Sequence, residues 1–458
     1  MKKLLSVFMC LSILILTVCA APISSDAAQY KPNTKIYADA YMLINLDDDS
    51  HPVVAQKNQD KVKFPASLTK IVTTIVVLEK IDDLSATTTV SRQAIEALYG
   101  TDAQVAGLKI GDEVTIEQLL YLTMVHSACD ACQVLAECVG GSVPEFCKMM
   151  NDWAKSIGCT NTNFVNPDGL HDDNHYTTAS DLAKITLKAL ENETFYKIAT
   201  TQQYVYNDYT YVHTNLMLNR FYVTYYYPYA QGIKTGSTDE AGFCLITMAS
   251  KNGYNYLAIV LDSPIKHLDG YDTKCSFIDC KSLFEWAFNY LKYSTVVRKN
   301  DVISEVPISS GKDADTVQLV AEKDVTTLVP TALDPSAVVI EPIDPPAQLE
   351  APVTKGDKIC KAKVIYAGKT VAKVQLVAGQ TVELSTFLRI ITSIKRFFSS
   401  KAVLVILGVF VAGIIGYACL FVFKLSRDKK RRAERRAKQA ELDRELYNFE
   451  NYLPPDKK

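Results

Sequence analysis

Residues 402–423 carry no charged side chain, and this run limits what the chain can become more than any other feature. It holds Val403, Leu404, Val405, Ile406, Phe410, Ile414, Ile415 and Leu420 within 22 residues. As a helix it is long enough to cross a bilayer. Nine Lys or Arg residues follow between positions 424 and 438, against Asp428 and Glu434. That positive excess predicts a single-pass protein of the cell membrane whose basic tail, 424–458, stays in the cytoplasm. At the other end, residues 1–27 predict a secretory signal peptide. Lys2 and Lys3 precede an apolar stretch over 4–19, shorter than a span, and then come Ala20, Ala21 and Ser24. Val18-Cys19-Ala20 offers small residues for cleavage, and Val18 argues against a lipoprotein site at Cys19. Everything between is expected outside the cytoplasmic membrane. Cell wall, secreted peptides and extracellular ligands remain as substrates, and nucleotides and nucleic acids drop out. The net charge of −2 points to no particular partner.

About 370 residues remain between the two ends, enough for more than one domain. Over 30–293, strand-like and helix-like segments alternate, which predicts an α/β (α+β) domain. Residues 41–46 and 52–56 flank the turn-rich Asp47-Asp48-Asp49-Ser50 and read as a hairpin. Leu68, Ile71, Ile75 and Leu78 recur at helical spacing behind Pro65, so a buried helix is expected to start close to Ser67. Thr115 and Gln118 form a candidate capping box. Residues 243–249 and 256–261 are apolar and joined across Asn252-Gly253, a strong hairpin signal, with 233–237 as the neighbouring strand. Over 294–385 short strand-like runs at 317–321, 337–340, 361–366 and 371–377 alternate with prolines and predict a small all-β domain. Residues 386–401 form a juxtamembrane linker, of which 387–398 are placed along the membrane surface.

Ser67 and Lys70 are three apart, hence one turn apart on one helical face. A serine hydroxyl is a weak nucleophile at neutral pH, and a lysine whose pKa falls by desolvation can take its proton. The helix N-terminus adds backbone donors for a developing oxyanion. Alone, Ser-x-x-Lys fits a capping serine and a solvated lysine better than a nucleophile and its base. Lys234-Thr235-Gly236 falls on an expected strand, where a cation and a hydroxyl can hold a carboxylate and glycine lets a substrate backbone come close. An ordinary edge strand fits that tripeptide too. Ser127 ends a helix-like segment between them, before Ala128, Cys129 and Asp130, and reads equally as a plain cap.

In this order and at these separations, the three elements resemble the penicillin-binding fold. The pattern Pro65-Ala66-Ser67-Leu68-Thr69-Lys70 is similar to that of the low-molecular-mass serine D-Ala-D-Ala carboxypeptidases. So are Thr162-Asn163-Phe164-Val165-Asn166-Pro167 with Gly169-Leu170, and His175-Tyr176-Thr177-Thr178-Ala179 with Asp181-Leu182-Ala183. Asn215 and Gly232-Ile233-Lys234-Thr235-Gly236 with Ala241-Gly242 complete the likeness, which covers residues 30–385. The resemblance implies peptidoglycan stem peptides as substrates and acylation by β-lactam antibiotics. It assigns Ser67 as nucleophile, Lys70 as base and Ser127 as proton relay. Lys234 and Thr235 would grip the terminal carboxylate, with Gly236 and Cys129 lining the site, and the N–H groups of Ser67 and Ser237 would form the oxyanion hole. No metal or organic cofactor is implied.

Two positions depart from the family pattern. Ser127-Ala128-Cys129 stands where most relatives have Ser-x-Asn, and a thiol replaces poorly an amide's donors and acceptor. Asp168 occupies a position where relatives often carry histidine. The nine cysteines between 129 and 360 lie in apolar stretches and read as buried small hydrophobes rather than a disulfide framework. A redox or metal pair at Cys129 and Cys132 is the weaker reading, for want of further ligands. The tyrosines over 204–229 fit a sugar-stacking surface or half-buried strands about equally. Two functions compete with a carboxypeptidase: a β-lactamase, for which no deacylating glutamate motif is found, and a silent penicillin-binding receptor signalling through its tail.

Overall fold

The computed structural model describes residues 29–334, 337–366, 368–398 and 400–451, so the expected signal peptide lies outside the described residues. The chain divides into two compact units. The larger runs to Asp301 and adds Ala321–Ile343 and Lys361–Gln375; the smaller comprises Val302–Val320, Asp344–Cys360 and the residues from Leu376 on.

At the centre of the larger unit is a sheet of β1 (Ala40–Asn45), β2 (Val53–Lys57), β3 (Ala230–Thr238), β4 (Gly242–Lys251) and β5 (Tyr254–Ser263) in the order β2-β1-β5-β4-β3. Every pairing is antiparallel. The two expected hairpins are β1–β2 and β4–β5. Asn252 (φ 54°) and Gly253 (φ 83°) supply the two positive φ angles that the tight turn between β4 and β5 requires. Side chains alternate between two cores: Met42, Ile44, Leu257 and Ile259 enter one, Leu43, Tyr256, Ala258 and Val260 the other. A strand buried on both faces reads as a continuous apolar run, which is how 243–249 and 256–261 look in sequence.

Helices fill both of this sheet's cores. α1 (Lys70–Lys80), α2 (Cys129–Gly140) and α3 (Ala179–Leu190) fill the first with Ile71, Val72, Ile75, Ala131, Leu135, Leu182 and Ile185. α4 (Cys275–Tyr290) fills the second with Phe277, Leu283, Phe284 and Ala287. Burying one such side chain contributes about 1.5–3 kcal/mol, so the two layers fix the height of β3 against α1. The capping box at Thr115 and Gln118 is present at the start of Ile116–Tyr121. Seven of the nine cysteines are buried, Cys138 is exposed, Cys360 is half-buried, and all are free thiols.

From residue 291 to 378 the regular elements are strands. In the larger unit Leu291–Val297 pairs with Val325–Pro330, and Val338–Ile343 with Lys358–Tyr366. In the smaller unit Val302–Ser309 pairs antiparallel with Thr316–Ala321 and parallel with Leu349–Glu350. Its own core holds Ile308, Val317, Ala351, Val353, Ala378 and Val382. Two helices follow, α5 (Thr386–Phe398) and α6 (Lys401–Asn451). Phe387, Ile390, Ile394 and Phe397 are exposed along one stripe of α5. α6 is long and apolar enough to cross a membrane.

Candidate active site

Ser67 lies in a single 3₁₀ turn, Ala66–Thr69, and α1 begins at Lys70, so the expected helix is tighter at its start than a plain α-helix. Side chains three apart eclipse in a 3₁₀ turn. Lys70 Nζ accordingly donates to Ser67 Oγ at 3.0 Å. It also donates to the Asp168 carbonyl at 2.6 Å and to Cys129 Sγ at 3.4 Å. Ser67 is partly exposed while Lys70 is fully buried. Ala66, just before the nucleophile, has φ 48°, a left-handed conformation that costs a residue with a side chain about 1–3 kcal/mol. Surrounding contacts hold it there: Thr69 Oγ1 donates to the Ala66 carbonyl at 2.8 Å. Gly169 abuts the same carbonyl so closely that an added Cβ would stand 1.9 Å from the oxygen.

The other half of the site hangs on β3, at the edge of the sheet. Lys234 Nζ donates to Ser127 Oγ at 2.9 Å and to the Thr235 carbonyl at 2.9 Å. Ser127 closes the π-turn Leu122–His126 with φ 64°, which turns its hydroxyl toward β3 and hands the chain to α2 at Cys129. Thr235 Oγ1 lies 2.5 Å from Thr214 Oγ1. Asn215 Nδ2 donates to the Gly232 carbonyl at 2.7 Å and to Thr247 Oγ1 at 3.1 Å, bracing β3 where its register shifts between Gln231 and Lys234. Gly236 also serves the packing of the site itself. A Cβ there would stand 2.9 Å from the Pro65 carbonyl oxygen and 3.0 Å from Ser67 N, so its bareness lets β3 lie against the nucleophile turn. Ser237, next along, is exposed.

The two lysines are both buried yet shift in opposite directions. Burial pushes Lys234 well below its ordinary pKa, and the charge of Lys70 pushes it further. Burial also acts to lower Lys70, but the acidic groups around it, Cys129, Cys132 and Asp168, act the other way and the net displacement is upward. This corrects the expectation that desolvation lowers Lys70. Cys129, Cys132 and Asp168 together outweigh the dry surroundings, and the lowered amine is Lys234. Burial raises the thiols too, Cys132 more strongly than Cys129, while the nearby Lys70 charge acts to lower both.

The structure thus brings Ser67, Lys70 and Cys129 into one contact set and Ser127, Lys234 and Thr235 into another, joined through the turn from Ser127 to Cys129. Four contributors have no role assigned from sequence, although Thr69 stands in the motif and Asp168 departs from it. Asp168 is buried, with Gln133 Nε2 donating to its carboxylate at 2.6 Å and Leu170 N at 3.0 Å. Thr69, Thr214 and His213 complete the list. His213 is buried beside Lys234 and accepts the Asn215 N–H on Nδ1 at 3.0 Å. Asn215 and His175 stood in the motif string, but nothing local showed what they hold. The tyrosine run is structural at both ends. Tyr204 stacks on Tyr121 at 4.5 Å, and the buried Tyr227 stacks on Phe284 at 6.2 Å. Among the described residues, no group of three or more His, Cys, Asp or Glu is placed to hold a metal ion.

A family described as D-alanyl-D-alanine carboxypeptidase matches residues 26–264, more than half of the chain. The chain belongs to this family. A second match, described as the C-terminal domain of penicillin-binding protein 5, covers residues 292–384, so the carboxypeptidase fold is followed by the small β domain and then by the apolar helix. Among curated relatives, the D-alanyl-D-alanine carboxypeptidase DacF of Bacillus subtilis is 28% identical over 400 residues, 86% of this chain and 98% of its own. Penicillin binding protein 5 from Haemophilus influenzae superposes with a TM-score of 0.57 at 27% identity, over 77% of this chain and 99% of that one. A Streptomyces DD-transpeptidase superposes at 0.50 with 29% identity, over 56% of this chain and 99% of that one. That enzyme has been solved as serine-to-alanine and cysteine-to-asparagine mutants at positions two apart, the spacing of Ser127 and Cys129.

Proposed function

We propose that this family member is a serine D-Ala-D-Ala carboxypeptidase that removes the terminal D-alanine from peptidoglycan pentapeptide stems and is acylated by β-lactams. The observation that carries the reading is the double pairing of lysine and serine, Lys70 on Ser67 at 3.0 Å and Lys234 on Ser127 at 2.9 Å.

In this reading the stem's free carboxylate docks beside Lys234 and Thr235. An anion there favours the ammonium form of Lys234. Two ammonium groups in one dry site repel, so as Lys234 takes up a proton Lys70 gives one up and becomes the base. Ser67 Oγ then bonds to the carbonyl carbon between the two D-alanines as its proton passes to Lys70. The oxyanion is held by the N–H groups of Ser67 and Ser237. Collapse breaks the C–N bond, the leaving D-alanine takes a proton relayed through Ser127, and water later releases the acyl group. Cys129 contributes a weak acceptor to Lys70, and to the peptide at most a weak S–H donor in place of an amide's stronger groups. The catalytic domain over 30–293 and the β domain over 294–385 lie on the outer side of the membrane, with the basic tail inside.

A second reading, transfer of the acyl group to an amine instead of water, is favoured by the serine–cysteine spacing shared with the Streptomyces transpeptidase. The test is release of D-alanine from a pentapeptide ending in D-Ala-D-Ala, with and without an amine acceptor, by wild type and Ser67→Ala. Release that falls at least about 10³-fold in Ser67→Ala supports the enzyme, and a transferred product identifies the second reading. No release by folded wild type favours a receptor, and steady turnover of penicillin favours a β-lactamase.

A further inference from the structure

We infer that His175 and Thr69 are positioning residues that aim the Ser67 N–H into the oxyanion hole; the inference rests on the function proposed above. The Val165 N–H donates to His175 Nδ1 at 3.2 Å, so in the neutral ring the proton sits on Nε2. Nε2 lies 2.7 Å from Thr69 Oγ1, and with its proton it must be the donor there. Thr69 therefore has its own proton free for the Ala66 carbonyl, at 2.8 Å. The chain of donors runs one way, from Val165 N–H through His175 and Thr69 to Ala66 O.

Ala66, Thr69 and His175 are all buried, and the ring of the buried Phe164 meets the imidazole edge-on at 5.5 Å. Burial holds His175 down to about 4, with Asp172 acting against and Lys70 and His171 acting with it. The ring stays neutral and the direction of the chain is fixed. Its end point is decisive. The Ala66 carbonyl and the Ser67 N–H belong to one planar trans peptide unit and point in opposite directions. A pull on the Ala66 oxygen toward Thr69 and Gly169 is therefore a push on the Ser67 N–H the other way. Gly236 of β3 lies against this same amide, the position of its missing Cβ only 3.0 Å from Ser67 N. The left-handed Ala66 is the cost of this orientation, and the imidazole–hydroxyl relay sustains it.

The test uses the full-length protein and the rate constant of acylation by a penicillin, read by intact mass, together with the dissociation constant of the complex formed before acylation. Thr69→Val keeps the shape and removes the relay. Its acylation should fall about tenfold to a hundredfold, less than the 10²–10³ expected for outright loss of an oxyanion donor, with the pre-covalent constant unchanged. Thr69→Ser restores the hydroxyl and should restore the rate. His175→Gln, whose amide nitrogen reaches the place of Nε2, should keep most of it, while His175→Asn should not. Thr69→Val combined with His175→Asn should cost no more than the worse single change. If wild type forms an adduct and Thr69→Val forms it equally fast, or if Thr69→Ser loses as much as Thr69→Val, the inference fails alone. If wild type takes no penicillin at Ser67, the proposed function fails with it.

Discussion

The nucleophile turn and the β3 strand are built on the same plan and differ in one respect. Each carries a fully buried lysine that donates to a serine hydroxyl, and each has a buried histidine held neutral, His175 beside the turn and His213 beside the strand. The turn also sets acidic groups against its lysine, Cys129, Cys132 and the Asp168 carboxylate, the last anchored by Gln133 and Leu170 N; Lys234 contacts a hydroxyl and a carbonyl and is repelled by Lys70. Equal burial with unequal neighbours sends the two amines in opposite directions. Burial alone therefore does not identify a catalytic base, because the sign depends on what the low dielectric encloses.

The comparison can be broken most directly by deleting each amine. Lys70→Met is expected to lower the acylation rate constant by about 10³-fold or more while leaving the pre-covalent complex intact. Lys234→Met is expected to cost about 10²-fold, much of it as weaker binding of a substrate bearing a carboxylate. Rapid-quench measurement of adduct formation over a range of penicillin concentrations separates the two. Equal effects on rate and binding in both variants would remove the distinction between the halves.

The histidines sharpen the likeness. Both are depressed to about 4 from an ordinary 6.5, by burial first and by the neighbouring lysine among the lesser causes. The unfolded chain takes up these protons as the pH drops through 6.5, and the folded chain resists until about 4. Stability contributed by each is complete above 6.5 and is lost across that window, by about 3 kcal/mol per histidine. Urea unfolding at pH 7, 5.5 and 4.5 should show midpoints falling in that order, and a flat profile would contradict the neutral assignment.

The smallest effect concerns Asp168. Its charge favours the ammonium form of Lys70, so Asp168→Asn should lower that pKa and make the free amine available at lower pH. The acid limb of the acylation profile should then move down by several tenths of a pH unit, up to about one. A limb that stays in place would show that backbone and thiol contacts, rather than the carboxylate, set the base.

Much of this was readable from residues close in sequence. Ile71 and Ile75 at helical spacing gave α1, Asn252-Gly253 gave the β4–β5 turn, and the three-residue step from Ser67 to Lys70 gave the central contact. Four C-terminal strands had no counterpart in the sequence pattern, of which Leu349–Glu350 is only two residues long. Leu291–Val297 starts where α4 stops, with no turn residue between them; Val302–Ser309 contains Pro307; Val325–Pro330 ends on a proline. At the site, what stayed hidden acts across long stretches of chain. Asp168 reaches Lys70 from 98 residues away, and His175 reaches Thr69 from 106. The left-handed backbone of Ala66 has no local signature at all, because alanine is an unremarkable choice until its surroundings force the angle.

Position 169 shows how far such dependence extends. The gap there is too small for even one methyl group beside the Ala66 oxygen. A single-carbon edit in a surface-linked loop would therefore be transmitted to the reacting hydroxyl as a displacement rather than absorbed as a local clash. In a library of variants this site should tolerate almost nothing, though it offers no side chain to the chemistry, and its intolerance would map the mechanical coupling between loop and nucleophile.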